Sequence, residues 1–269
     1  MRDLPRCAAL AAWGTAVLAG TASIDDAVTA IQGTDLPHSV DLSNLPVEAP
    51  LDGLVGVFAA LRRAQVTRLR MVLPVEGDLA GLPGPPHFNT AALDVGECVV
   101  ADDGLACGLV PLIVRHGREV DEAHPVDETM DAAVSVMWVG LPTHRAAPGG
   151  GLSDLSESRR ALLTTLQEAS STLEHLQVAA WARDPVVALD DVRQRSVSAD
   201  MPPGTPSRAA SVLDLAWRVR TVVEIAGQDD GGAINTWESE QRRHALRRLD
   251  VVSRHAVVAA VNAALEPVR

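Results

Sequence analysis

The chain of 269 residues contains neither lysine nor tyrosine, so all 23 of its basic residues are arginines. Without lysine, it cannot contain a Walker-type phosphate-binding motif or the Schiff-base lysine of pyridoxal-phosphate enzymes. The sequence also lacks the G-x-G-x-x-G motif of dinucleotide-binding proteins and the G-x-S-x-G motif of serine hydrolases. These absences exclude several common classes of nucleotide-binding protein and enzyme.

Three cysteines, Cys7, Cys98 and Cys107, are present, and none forms a close pair of the kind that binds metal ions. Their odd number argues against a disulfide framework and favours a reducing compartment. Cys98 and Cys107 flank an Ala-Asp-Asp-Gly turn, from which they would face each other across a hairpin as a buried or incidental thiol pair. The sequence therefore predicts no metal and no other cofactor.

The formal net charge of −12 disfavours nucleic-acid binding, because an acidic chain repels the phosphate backbone. No apolar stretch is long enough for a membrane span. Residues 1–22 resemble a secretory signal in their early arginines and apolar middle, but Asp3 and Pro5 interrupt its charged region. A cytoplasmic protein is the favoured interpretation, and a cleaved signal over residues 1–22 is the alternative.

The clearest boundary in the chain is "LPTHRAAPGGGLS", where two prolines and three consecutive glycines are incompatible with a helix. It predicts an α+β domain at 1–142, a Gly/Pro-rich linker at 143–153 and a helical bundle at 154–269. The expected fold class is α+β: an N-terminal mixed or antiparallel sheet with covering helices, followed by an all-helical C-terminal part.

Short apolar runs bounded by turn residues predict the strands of the first domain. The expected strands are 15–20, 67–75, 97–102, 108–114 and 132–141. The last three are too close together for long helices between them, so an antiparallel meander is expected. Helices are predicted at 4–13, 24–32 and 51–64.

Helical periodicity dominates the second domain. A seam of apolar residues predicts bundle packing of its first helix: Leu162, Leu166, Ala169, Leu173 and Leu176. A helix at 206–226 is expected to bury Val212, Ala216, Val219, Val223 and Ala226. A last helical region follows.

The loop "GLPGPPHFNTAAL" at 81–93 is the most distinctive short segment. Its three prolines remove backbone N–H groups, so it predicts a stiff connection or the rim of a pocket and not a phosphate cradle. The candidate ligand-binding residues are His87 and Asn89 in this segment, together with His116 and Arg218. They would serve an enzyme or small-molecule-binding protein whose site lies between the two halves.

The main functional hypothesis is a non-catalytic interaction or regulatory protein that uses its helical surfaces. The candidate contact residues are Arg243, Arg247, Trp181 and Trp237, and the expected partner is a protein or a second copy of the chain. A cluster of five arginines, which includes Arg243, would otherwise suggest anion binding, but acidic residues are interspersed among them as on a solvated helix. They are Arg242, Arg243, Arg247, Arg248 and Arg254.

Two segments carry a resemblance, "MVLPVEGDLAGLPGPPHFN" and "DDGGAINTWESEQRRHALRRLD". Together they resemble an uncharacterised family of proteins from high-GC bacteria, and the similarity would span most of the chain. The resemblance implies no activity, fold or catalytic residue.

Overall fold

The computed structural model describes residues 4–47, 52–116, 133–145, 154–175, 196–227 and 236–264. The chain divides into two compact units, Met1–Gly151 with Asp200–Pro203, and Leu152–Ala199 with Gly204–Arg269. Most of the predicted linker, residues 146–153, lies outside the described residues. The fold is α+β, as the sequence predicts.

Helices and strands alternate irregularly in the first unit. They are α1 (Arg6–Leu18), α2 (Ile24–Gln32), β1 (Ser39–Asp41), α3 (Gly53–Arg63), β2 (Leu69–Val72), α4 (Pro86–Val95), β3 (Cys98–Ala101), β4 (Cys107–His116) and β5 (Ala133–Pro142). The described part of the second unit is helical. It contains α5 (Leu155–His175), α6 (Ser207–Gly227) and α7 (Thr236–Ala263), and a short 3-10 helix, Val197–Asp200, precedes α6.

The strands of the described residues form one mixed sheet in the order β1-β5-β4-β3-β2. Neighbours from β2 to β5 are antiparallel, whereas β1 runs parallel to β5. The antiparallel order predicted for 97–102, 108–114 and 132–141 is confirmed. The sequence pattern misses β1, because Ser39–Asp41 is too short to show the alternation of a strand.

The strand predicted at 15–20 is wrong, because α1 continues from Arg6 to Leu18. Gly14 lets this helix approach β2 closely, since a Cβ there would lie 2.8 Å from Leu69 Cδ1. The Thr15 hydroxyl accepts a hydrogen bond from the Leu69 N–H at 2.9 Å and donates one to the Leu69 C=O at 3.2 Å. The run that resembles a strand is therefore a helix packed against a strand edge.

Helix α4 covers the opposite face of the sheet. Its Phe88 is fully buried against Val72, Val100 and Val110. Val72 and Leu69 are an odd number of residues apart in β2, so their side chains point to opposite faces. The sheet is thus packed on both faces at this end, with α1 on one side and α4 on the other.

A buried polar network joins α1, the segment before β1, and β5. The Asp35 carboxylate accepts two hydrogen bonds from the Arg6 guanidinium, both at 2.8 Å. Trp138 Nε1–H donates to His38 Nδ1 at 3.2 Å. Because indole can only donate, the proton of neutral His38 is on Nε2, which lies 3.3 Å from Asp35 Oδ2. One carboxylate therefore connects three elements that are far apart in sequence.

The second unit buries the predicted stripe of α6, which comprises Val212, Ala216, Val219, Val223 and Ala226. In α5, Leu162 and Ala169 of the predicted seam are buried and Leu166 is half-buried. The seam residue Leu176 and the side chain of Leu173 lie outside the described residues. No helix in the described part of the chain combines the length and the apolarity needed to cross a bilayer.

Gly108 offers a test of the packing between α4 and the sheet. A Cβ at Gly108 would lie 2.4 Å from Phe88 Cε2, so Gly108→Ala should overpack the site and lower the free energy of unfolding by about 1 to 3 kcal/mol. Urea unfolding measures this loss. Gly227→Ala is the control, because nothing lies within 4 Å of its Cβ position. Equal stability of the two variants would contradict the packing described for α4.

Asp35→Asn tests the buried network. The substitution removes the charge that pairs with Arg6, so we expect a loss of about 3 kcal/mol in the free energy of unfolding. The matched control is Asp25→Asn, which alters an exposed carboxylate in the first turn of α2 and should change stability little. Unfolding curves followed by tryptophan fluorescence compare the two. A loss no greater than that of the control would show that the network does not stabilise the fold.

Candidate interaction surface

Strand β4 is much longer than its neighbour β3. It has ten residues and pairs with β5 along its whole length, from Cys107 opposite Pro142 to His116 opposite Ala133. Strand β3 has four residues, and its pairing with β4 involves Leu109 and Gly108. Beyond that point, residues 111–116 of β4 and 133–138 of β5 extend the sheet with no β3 residue beside β4, and we call this part of the two strands the ribbon. On the β5 side of the ribbon, β1 pairs with Met137 and Trp138.

Two hydrogen bonds define which backbone groups of β4 face β5. Just before β4, the Ala106 C=O accepts from the Thr143 N–H at 3.1 Å, which is a bond towards the β5 side. Residues of an antiparallel strand alternate between their two neighbours. Even-numbered residues of β4 therefore bond to β5, and odd-numbered residues face away. The Leu36 N–H donates to the Val134 C=O at 2.8 Å on the side of β5 that faces away from β4. Val134 is the partner of the odd-numbered Arg115, so this bond agrees with the same alternation.

The outward backbone groups of the ribbon belong to Pro111, Ile113 and Arg115, and we call them the open edge. Proline has no N–H, so Pro111 contributes only a carbonyl there. Ile113 and Arg115 each present one N–H and one C=O. No strand among the described residues pairs with them. Pro111 is buried, Ile113 is half-buried and Arg115 is exposed, so the accessible part of this hydrogen-bonding template is at Ile113 and Arg115.

One face of the ribbon is apolar and exposed. Leu112 lies opposite Met137, and Val114 lies opposite Ser135, so these side chains share a face. The relative exposure is 44% for Leu112, 53% for Val114 and 37% for Met137. Exposed apolar side chains that are contiguous and adjoin free backbone groups are typical of a binding surface.

Parts of the other sheet edges are occupied by the chain itself. At β2, the Thr15 hydroxyl occupies both the N–H and the C=O of Leu69. At β5, the far side is engaged by β1 and by the Leu36 N–H. At Ile113 and Arg115 of β4, no other described strand pairs with the outward backbone groups.

His116, a predicted ligand-binding residue, is the last residue of β4. It is exposed, and its Nε2 lies 2.5 Å from the Ser135 hydroxyl oxygen on the apolar face of the ribbon. The structure therefore puts His116 at the end of the candidate surface. It has no hydrogen bond or ion pair with His87 or Asn89 in the described residues.

The segment 81–93 is a loop that leads into α4 at Pro86, and hydrogen bonds hold the loop from several sides. The Asn89 Oδ1 accepts from the Gly84 N–H at 3.0 Å, so this predicted binding residue holds its own loop. The Gly84 C=O accepts from the His144 N–H at 3.0 Å, and the Gly81 C=O accepts from the buried Arg70 guanidinium at 3.3 Å. His87 points outward from α4 and is exposed. These bonds are those of a stiff connection, and they use the polar group of Asn89 internally.

The remaining predicted residues belong to the second unit. Arg218 is half-buried in α6. Arg243 and Arg247 are exposed on α7, where each Nε donates to the backbone carbonyl four residues earlier, at 3.3 Å. Trp181 lies outside the described residues. The backbone of Trp237 belongs to the first turn of α7, and its side chain lies outside the description.

The five arginines of the last helix do not share one surface. Arg242 and Arg254 are buried, and Arg242 Nη2 donates to the Ala226 C=O at 2.9 Å. Arg248 forms an exposed ion pair with Glu168 of α5 at 2.8 Å. Arg247 contributes to a shallow groove of about 340 Å³ between α5 and α7. The helical periodicity separates arginines that are close in sequence.

The three cysteines are free and buried. Burial raises the pKa of Cys98 and Cys7, and the nearby Glu97 carboxylate adds to the effect at both thiols. Burial also raises the pKa of Cys107 to about 11. Cys98 and Cys107 do not face each other, because the register that puts Val99 opposite Leu109 places Cys98 opposite Val110. Because burial raises the pKa of all three cysteines, their thiols are protonated and poorly nucleophilic at neutral pH. The described residues contain no cluster of three or more potential metal ligands.

Sequence reasoning did not identify Leu112, Val114 and Met137 as site residues. The strand prediction gives no signal of the open edge, because the expected strands at 97–102 and 108–114 are nearly equal in length. The side chains alone could not reveal this, because apolar residues are equally expected in a buried strand.

Comparison with known proteins identifies the family. Residues 7–148 match the N-terminal domain of the Rv1486c-like proteins, and residues 156–258 match their C-terminal domain. The chain belongs to the Rv1486c-like protein family. The mycobacterial relatives described next confirm the resemblance to an uncharacterised family from high-GC bacteria.

Two relatives cover nearly the whole chain. An uncharacterised protein of Mycobacterium leprae (strain TN) is 30% identical over 287 aligned residues, which cover 95% of this chain and 96% of that protein. An uncharacterised protein of Mycobacterium tuberculosis (strain ATCC 25618 / H37Rv) is 29% identical over 280 residues, with the same coverage. No solved structure matches the chain.

Alkaline titration should report the buried thiols. The chain has no lysine or tyrosine, so cysteines are the side chains that titrate between pH 9 and 11. Unfolded thiols ionise near pH 9, whereas the folded ones stay protonated to higher pH. The unfolded state therefore releases protons first, and stability should fall as pH rises from about 9 to about 11, by up to about 1.4 kcal/mol per pH unit for each thiol.

Urea unfolding at a series of pH values measures this slope. Cys107→Ala removes one titrating group and should make the slope shallower. Val110→Ala is the control, because it lowers stability without removing a thiol and should leave the slope unchanged. An identical slope in the wild type and Cys107→Ala would contradict the raised pKa of Cys107.

Proposed function

We propose that the protein is a non-catalytic interaction protein that binds another polypeptide strand along the open edge of β4. The observation that carries the proposal is the set of free N–H and C=O groups of Ile113 and Arg115 beside the exposed Leu112 and Val114. An added strand would extend the sheet by main-chain hydrogen bonds, and its side chains would pack beside Leu112 and Val114 on the same face.

Pairing of the open edge with another strand is energetically favourable. Each apolar side chain of the ribbon that an added strand covers contributes roughly 25 cal/mol for every Å² removed from water. Main-chain hydrogen bonds contribute about 1 kcal/mol each. Natural edge strands are usually short, charged or covered. Pro111 removes one donor, but Ile113 and Arg115 keep theirs.

The chemistry of the rest of the described chain supports binding over catalysis. The thiols are protonated and buried, and the polar group of Asn89 is used to brace its own loop. Arg243 and Arg247 fold back onto their own helix. The proposal therefore differs from the expectation of helical contact surfaces in taking the sheet edge as the binding element.

We propose a cytoplasmic location as well. The three free and buried cysteines support it, because a reducing compartment keeps thiols unpaired.

Photo-crosslinking in cells that make the protein tests the proposed surface. A benzophenone amino acid at position 112 should form adducts with a protein, because this side chain would lie beside the side chains of the bound strand on the same face. The same group at position 79 is the matched control, since Leu79 is similarly exposed, at 49% against 44% for Leu112, and belongs to the loop between β2 and α4 and not to the ribbon. Adducts are separated by mass and identified by peptide sequencing.

An adduct from position 112 that is absent from position 79 would support the proposal. It should also disappear when Ile113 is replaced by proline, because proline removes one donor of the open edge. Absence of any protein adduct from position 112 would overturn the proposal.

A further inference from the structure

We infer that the strand bound at the open edge is β4 of a second copy of this chain, paired antiparallel about a two-fold axis at Val114. This inference rests on the proposed function, because it names the partner of the same surface. A two-fold dimer needs one patch that is complementary to itself. The open edge meets that condition in its backbone groups and in its side chains.

The backbone groups of the open edge complement themselves in this register. With Val114 opposite its symmetry mate, Ile113 of each copy lies opposite Arg115 of the other. Both are outward-facing residues, so each N–H of Ile113 donates to an Arg115 carbonyl of the other copy, and each N–H of Arg115 donates to an Ile113 carbonyl. The four hydrogen bonds use every free donor and acceptor of the two residues.

Pro111 ends the ladder of hydrogen bonds between the two copies but leaves no bond of this register unmade. Its missing N–H lies beyond the last Ile113–Arg115 pair, so the register demands no donor from it. A shift that centred the axis on Ile113 would instead place Arg115 opposite Pro111 and leave the Arg115 carbonyl without a donor. The axis at Val114 is therefore the register that satisfies Ile113 and Arg115 completely.

The side chains also fit this register. Val114 meets Val114 of the second copy in a non-hydrogen-bonded pair, where the two backbones are closest and the side chains touch. Leu112 meets His116 of the second copy on the same face. Val114, the most exposed apolar residue of the ribbon at 53%, thus lies on the axis, where dimerisation covers it in both copies.

Charge substitution at the axis tests the inference with the full-length protein. In Val114→Glu two carboxylates would face each other, and in Val114→Lys two ammonium groups would do so. Each variant alone should dimerise at least about 100-fold more weakly than the wild type, because like charges directly opposite each other are strongly unfavourable. An equimolar mixture should recover a heterodimer, since glutamate then faces lysine.

Sedimentation velocity over a concentration series measures the dimerisation constants. Native mass spectrometry, with one variant labelled with nitrogen-15, distinguishes heterodimer from homodimer. Leu79→Glu and Leu79→Lys are the controls and should dimerise like the wild type. Near-ultraviolet circular dichroism verifies that each variant is folded.

Amide hydrogen exchange supplies a readout that needs no substitution. In the wild-type dimer, the N–H groups of Ile113 and Arg115 should be protected, and dilution below the dimerisation constant should expose them. The N–H of Val114, which bonds to β5 within one copy, should stay protected throughout.

A monomeric wild type at every concentration would overturn the second copy as partner. So would a dimer that Val114→Glu leaves unchanged, or a mixture that forms no heterodimer. The crosslinks from position 112 separate the two proposals: adducts with a different protein keep the proposed function and reject the second copy, whereas absence of protein adducts rejects the function itself.

Discussion

The full-length pairing of β4 with β5 is the constraint on which the N-terminal unit depends. At one end of the two strands, β3 and β2 continue the sheet, and α1 and α4 cover its two faces. At the other end β3 is absent, because it pairs with β4 only at Leu109 and Gly108. The same two strands therefore supply a core packed on both faces at one end and, at the other, a ribbon with one exposed apolar face.

The covered parts of the sheet are held in place by groups that bridge distant parts of the chain. Asp35 binds Arg6 and lies beside His38, which in turn accepts from Trp138 of β5. Thr15 satisfies both backbone groups of Leu69 and so closes the β2 edge with a helix side chain. These contacts hold the sheet in a defined position against α1, whereas no other described strand pairs with the outward groups of Ile113 and Arg115 in β4.

Several residues whose type and spacing in the sequence suggest a binding or catalytic site have structural roles in the fold. Asn89 braces a loop, and Arg242 binds the end of α6 through the Ala226 carbonyl. Cys98 and Cys107 flank a hairpin but have different strand partners. What the ribbon exposes at Leu112 and Val114 is apolar surface beside unpaired backbone groups, and this is the basis of the proposed strand binding. The open edge thus links the architecture of the sheet to the proposed binding.

The sequence by itself determined the α+β class, the antiparallel order of β3 to β5 and the helices of the second unit, because apolar periodicity and turn residues act locally. It predicted a strand at 15–20, where tertiary packing instead favours α1, and it missed β1. His116 was predicted and does lie at the end of the ribbon, but Leu112, Val114 and Met137 were not. Only the tertiary structure decided which apolar side chains are covered, because coverage depends on the length and register of neighbouring strands, and these are long-range properties of the fold.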